Sequence, residues 1–216
     1  LDRSSAASDV YKRQEQTGFV RQLTLWMFEE VARELPRLRA DGQPLRVAIN
    51  LSTRDLLDQE FPAKLDALMA RYGAPTDAFC LEITESAIMD DPQRAEATLG
   101  RLSERGFKLS IDDFGTGYSS LAYLKRLPVN ELKIDKSFVM GMEKDESDAK
   151  IVRSTIDLAH NLGLSVVAEG VENQAILDKL RALSCDEAQG YYMSKPITLP
   201  DFIQWRARFL SAGVAN

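Results

Sequence analysis

The chain has 216 residues, 44% hydrophobic and 28% charged, with a formal net charge of -6. That is length enough for one large domain with its own core, and the acidic balance argues against a broad DNA or RNA footprint. Two cysteines without metal spacing, one histidine inside a predicted helix and no long apolar run exclude a disulfide framework, a histidine-based zinc site or triad, and a membrane span.

Residues 1–13 do not match the rest of the chain. Ser4-Ser5-Ala6-Ala7-Ser8 is small and polar, and Asp9 to Arg13 has neither helical nor strand period. They are set apart as a leader foreign to the fold, and residues 14–216 are taken as the domain. A helix is predicted from about Thr17, with Phe19, Leu23, Trp26, Met27, Val31 and Leu35 forming one apolar stripe. A strand then alternates with a helix six times. The strands are Leu45 to Asn50, Phe79 to Ile83, Phe107 to Ile111, Glu131 to Ile134, Ser165 to Ala168 and Glu187 to Gln189. The helices are Asp55 to Tyr72, Pro92 to Arg105, Ser120 to Arg126, Asp145 to Leu162, Asn173 to Leu183 and Pro200 to Leu210. Pro92 and Pro200 suit first helical turns, and Gly73, Gly106 and Gly163 suit helix ends.

Such alternation predicts a parallel sheet with helical crossovers, closed as a barrel or left open. Strand parity chooses between them. One face carries Val47, Ile49, Leu81, Ile83, Leu109, Ile111, Leu132 and Ile134; the other carries Ala48, Asn50, Cys80, Glu82, Ser110, Asp112, Lys133 and Asp135. An open sheet covered on both sides needs two apolar faces, whereas a barrel interior tolerates a polar one whose groups gather at the C-terminal mouth. The expectation is an α/β fold, a (β/α)8 TIM-like barrel that is incomplete: six βα units are visible of the eight that closure needs.

Six successive strands end in polar or charged residues: Asn50, Glu82, Asp112 with Asp113, Lys133 with Asp135, Glu169, and Gln189. An oxygen-rich set of this kind suits Mg²⁺ or Mn²⁺, and clustered carboxylates suit a two-metal site acting at phosphorus. Other readings stand beside these. One of Asp112 and Asp113 can cap the next helix while the other faces water. Lys133 can form an ion pair with Asp135 or a neighbouring acid, or aim its charge at a phosphate oxygen. Glu85 and Glu172 lie just beyond strand ends, where acids also begin helices.

Asn50-Leu51-Ser52, Leu81-Glu82-Ile83-Thr84-Glu85-Ser86, Ile111-Asp112-Asp113-Phe114-Gly115-Thr116-Gly117-Tyr118, Leu132-Lys133-Ile134-Asp135, Ala168-Glu169-Gly170-Val171-Glu172 and Gln189-Gly190-Tyr191 together resemble the EAL-domain proteins. The resemblance runs from about Glu15 to the region of Trp205. It implies a bacterial phosphodiesterase that hydrolyses cyclic di-GMP to the linear dinucleotide pGpG with two Mg²⁺ or Mn²⁺ ions, in the cytoplasm and as a homodimer through the barrel. By motif, Asn50, Glu82, Asp112, Asp113 and Glu169 would be metal ligands, with Asp112 shared. Lys133 and Gln189 would hold the catalytic water and phosphate oxygens, Glu169 serving this catalytic set as well. Glu85 would anchor the loop from Phe114 to Ser120, with Glu172 and Asp135 supporting the site. The Glu-Ala-Leu that names the family, and an Arg shortly after it, have no counterpart ahead of the first helix. The expectation is therefore an active parent domain and an inactive or poorly folded chain. A catalytically silent cyclic di-GMP-binding module is the alternative, and a sugar-phosphate aldolase or isomerase barrel is a more distant one.

Overall fold

The computed structural model describes residues 19–115 and 121–211. Its elements, in chain order, are α1 (Phe19–Leu38), β1 (Val47–Leu51), α2 (Thr53–Leu57), α3 (Phe61–Tyr72), β2 (Phe79–Thr84), α4 (Glu85–Asp90), α5 (Pro92–Glu104), β3 (Lys108–Phe114), α6 (Leu121–Leu124), β4 (Glu131–Ile134), α7 (Lys136–Gly141), α8 (Glu146–Asn161), β5 (Ser165–Glu169), α9 (Gln174–Ala182), β6 (Glu187–Gln189) and α10 (Leu199–Ser211). The leader predicted for residues 1–13 lies outside the described residues.

The six strands form one parallel sheet in the order β1-β2-β3-β4-β5-β6. Sequential parallel order is what right-handed βα crossovers produce, and it curls the sheet into a half-barrel with helices outside. Among the described residues β1 pairs only with β2 and β6 only with β5, so both edges are open.

Strand parity governs burial along the middle strands. Ile49, Leu81, Ile83, Leu109, Ile111, Leu132 and Ile134 are all 3% exposed or less, and they pack under Leu65, Leu99, Val152, Ile156 and Ile176. Each such side chain contributes about 1.5–3 kcal/mol on burial. At the N-terminal ends of β2 and β3, Phe28, Phe61, Phe79 and Phe107 form an aromatic cluster with centroids 5.5 to 6.4 Å apart.

That cluster corrects the predicted α1 stripe. The buried positions are Thr24, Phe28, Ala32, Leu35 and Leu38, while Leu23, Trp26 and Met27 are exposed. The stripe is turned by about one residue, because Phe28 fills the aromatic cluster and draws its own face inward. The single helix predicted from Asp55 to Tyr72 is two helices. Ser52 opens the first with a reciprocal cap to Asp55, and the second begins afresh with Pro62 in its first turn. Two short helices escaped the periodicity: α4, capped by Thr84, and α7, capped by Asp135.

Strand β3 runs three residues further than predicted and carries an irregularity. Ile111 pairs with Leu132 and Phe114 with Ile134, so three steps on β3 match two on β4. The extra residue falls at Asp112-Asp113, where Asp113 has φ 54°. A bulge of this kind breaks the alternation of side chains and re-aims one of them.

The last helix is tied to the start of the sheet. Arg206, 8% exposed, donates to the carbonyls of Leu38, Gln43 and Pro44 and lies 3.4 Å from Asp41. Between α1, β1, β6 and α10 the inner face opens into a cavity of about 1150 Å³, walled on its apolar side by Trp26, Val31, Phe202, Trp205 and Phe209. No helix among the described residues is long and apolar enough to cross a membrane.

Candidate metal centre

Inner-face positions at the C-terminal ends of β2, β3, β4 and β5 converge on one lysine. Lys133 Nζ lies 2.7 Å from Glu82, 3.2 Å from Asp112 and 2.5 Å from Glu169. Lys133 is 3% exposed and Glu82 7%. Burial alone would lower the lysine's pKa, but its bonds to Glu169 and Glu82 outweigh that and raise it, so the ammonium stays charged. Burial raises the pKa of Glu82, and Lys133 only partly offsets the effect.

The bulge in β3 places Asp113 beside Asp112 instead of on the opposite face. Asp113 N–H donates to Asp112 Oδ1 at 3.0 Å. Asp112, Asp113 and Glu169 each offer a carboxylate oxygen, and the three oxygens lie within 4.8 Å of one another. Asp113 is pushed up to about 6, first by burial, then by the charges of Asp112 and Asp135, with a hydrogen bond to Asp135 adding to them. Asp135 moves the other way: burial opposes its ionisation, but bonds from Ser137 and Asp113 hold it below the usual carboxylate range.

Two glycines make the strand ends fit. A Cβ on Gly170, which follows Glu169 with φ 74°, would lie 2.6 Å from Lys136 Cβ. One on Gly190, which follows Gln189, would lie 2.1 Å from the Val171 carbonyl oxygen. Lys136 at the first point and the Val171 backbone at the second pass too close for a side chain.

The remaining candidates are spread around this centre. Glu85 is buried and accepts from Gly115 N–H at 3.4 Å, at the start of the predicted loop whose residues 116–120 lie outside the described residues. Asn50 stands opposite Glu82 in the β1–β2 register, and Gln189 opposite Glu169 in the β5–β6 register; both are exposed on the edge strands. Asp135 caps α7 by accepting from Ser137 N–H at 2.9 Å, and it is not among the acids paired with Lys133. Glu172 is exposed beyond the turn at Gly170. Sequence reading passed over Glu131, which is 7% exposed on the inner face and accepts from the Cys80 thiol at 3.9 Å. Strand parity with Lys133 was the signal that could have found it. Burial, followed by the charge of Glu131, pushes that thiol up to about 12.

The order of strands, the mouth-side acids and the buried lysine agree with a match to the family profile of the EAL domain over residues 2–196. The chain belongs to the EAL-domain family. The Pseudomonas aeruginosa protein named cyclic di-GMP phosphodiesterase NbdA is 40% identical over 186 residues, 86% of this chain and 24% of the relative. The solved structure titled PaMucR phosphodiesterase, c-di-GMP complex, superposes with a TM-score of 0.84 at 36% identity, covering 90% of this chain and 79% of that one. The EAL domain of Mycobacterium smegmatis DcpA superposes at 0.80 with 39% identity, covering 86% and 84%. The chain spans about a quarter of the length of the curated relatives it matches.

The donor set of this EAL domain fits a hard divalent cation. Its oxygens are carboxylates, they are close enough to share an ion, and one lysine offsets only part of their charge. Burial first, and then the neighbouring charges of Asp112 and Asp135, raise Asp113 in the same place.

Proposed function

We propose that this EAL domain belongs to a metal-dependent phosphodiesterase that hydrolyses cyclic di-GMP to linear pGpG, acting in the cytoplasm as a homodimer through the barrel. The observation that carries the reading is the convergence of Glu82, Asp112 and Glu169 on Lys133, with Asp113 beside Asp112, at the C-terminal mouth of a parallel half-barrel. Asp112, Asp113 and Glu169, with Glu82 and Asn50 at the flank, would hold two Mg²⁺ or Mn²⁺ ions, Asp112 serving both. When bound, such ions supply an activated water and stabilise the charge that develops at phosphorus.

The chain's own groups do the rest. The surplus of acids keeps bulk anions away from the centre, so the phosphodiester enters only with compensating cations. Lys133, held charged, donates hydrogen bonds to the attacking oxygen or a phosphate oxygen and does not act as the base. The Gln189 amide, on the adjoining edge strand, orients the same oxygens. Glu85 fixes the start of the loop after β3 through Gly115 N–H. Hydrolysis forms one P–O bond to the water oxygen and breaks one P–O3′ bond.

Among the described residues β1 and β6 pair on one side only, which leaves Asn50 and Gln189 less restrained than the central acids. The test measures Mg²⁺-dependent conversion of cyclic di-GMP to pGpG by the chain. It is expected to hydrolyse the substrate and to lose that activity with Asp112→Asn. Binding without turnover would assign a silent binding module instead. Neither binding nor turnover would sink the reading altogether.

A further inference from the structure

Two of the three acids best placed for a divalent ion are already bonded to Lys133. Its ammonium lies 2.5 Å from Glu169 and 3.2 Å from Asp112. Both belong to the trio whose oxygens lie within 4.8 Å of one another. A divalent ion drawn to that trio therefore meets a cation in contact with two of its donors. Like charges at such separations repel strongly, and more so where burial removes the water between them.

The third bond of the lysine is different. Glu82, 2.7 Å from the same nitrogen, lies outside the trio and deeper in the sheet, and both members of this pair are more than nine-tenths buried. While a single ion occupies the trio, and before Glu82 is drawn to a second ion at the flank, this short bond to a buried carboxylate retains the ammonium when the other two are given up.

We infer that Lys133 is an internal competitor that sets the divalent-ion affinity of this site. With a first ion held there, Asp112 and Glu169 would turn from the ammonium, and Lys133 would rest on Glu82. An ammonium has three donors, so the exchange frees two of them to face the pocket. Ion entry and the arming of Lys133 toward a substrate oxygen are thus one event, and substitutions that weaken the lysine's hold on Asp112 and Glu169 tighten the ion. The inference rests on the metal-dependent reading above and adds to it a residue that opposes the metal.

Calorimetric titration with Mn²⁺, without substrate, tests this on the full chain and on Lys133→Gln, Lys133→Arg and Asp112→Asn. Lys133→Gln is expected to bind Mn²⁺ at least about 10-fold more tightly than the parent, and Lys133→Arg, which keeps the charge, no more tightly than the parent. Thermal melts give a second readout. Lys133→Gln should melt lower than the parent without Mn²⁺ and gain more from saturating Mn²⁺. Mn²⁺ binding that Asp112→Asn abolishes but Lys133→Gln leaves unchanged or weakened would overturn the competitor role while sparing the metal site. Absence of Mn²⁺ binding in every variant would overturn both. If Lys133→Gln fails to fold even with Mn²⁺ present, the lysine is a structural requirement and the inference fails.

Discussion

The middle of the sheet and its two edges treat their polar residues differently. On β2 to β5, Glu82, Asp112 and Glu169 are all bonded to Lys133, which is almost wholly buried. On β1 and β6, Asn50 and Gln189 point to the same mouth but are exposed, and one side of each strand is unpaired among the described residues. The centre is pre-organised by its own charges; the flanks depend on whatever covers the edges. Pre-organisation of fixed charges is the costly part of a site that works by electrostatics, and here it resides in four strands that pair on both sides.

The sharpest way to break this contrast is at Asp112. Asp112→Asn should lower Mg²⁺-dependent hydrolysis of cyclic di-GMP by about 10³-fold, read as pGpG released, because it removes charge from the centre. Near-full activity would remove Asp112 from the shared position. Next in size is Lys133→Ala, which leaves Glu82 buried beside Asp112 and Glu169 without a cation. The expected loss is about 3–5 kcal/mol in urea denaturation without divalent ions, largely recovered when Mn²⁺ is added.

The pH dependence comes third. The folded-state pKa of Asp113 is raised to about 6, so the folded protein holds this proton more tightly than the unfolded chain does. Its contribution to stability is full below the unfolded value of about 3.9 and is lost as pH rises through about 6. Glu82, also raised, acts in the same direction, whereas the lowered Asp135 acts only at the acid end. Denaturation without divalent ions, followed from pH 4 to 7, should show a falling limb that Asp113→Asn flattens. An unchanged slope in that variant would place the proton elsewhere. The smallest effects belong to the edges. Asn50→Ala and Gln189→Ala should each change stability by less than about 0.5 kcal/mol, and any larger loss would show that the edges are covered in solution.

Much of this was legible in the sequence because it rests on short-range patterns. Alternation of Leu81, Ile83, Leu109, Ile111, Leu132 and Ile134 with small or charged residues set the strands, their faces and the side on which polar groups collect. The same parity put Glu82, Asp112 and Lys133 on one face, although which acid would hold the lysine remained open until the register of three strand pairs was known. Other features were hidden because tertiary contacts decide them. The Phe28 aromatic cluster turned the α1 stripe by one position, and the period of a helix cannot say which of two adjacent apolar faces finds a partner. The short α4 and α7 are made by the caps Thr84 and Asp135 and are too brief to show a period. The bulge at Asp112-Asp113 was invisible for a further reason: it exists only relative to β4, as a mismatch of one residue between two strands.

That bulge also divides the centre by how its spacings are maintained. Asp112 and Asp113 are chain neighbours, so their Cα atoms are held about 3.8 Å apart by one trans peptide unit. Glu169 reaches them from another strand, across β4, and its distance varies with every flexing of the sheet. The backbone spacing of that pair is therefore as constant as bond geometry, while the spacings to Glu169 follow the sheet. A divalent ion bound to all three would feel the curl of the sheet chiefly through Glu169, which makes strand β5 the gauge by which a distortion of the barrel is felt at the metal.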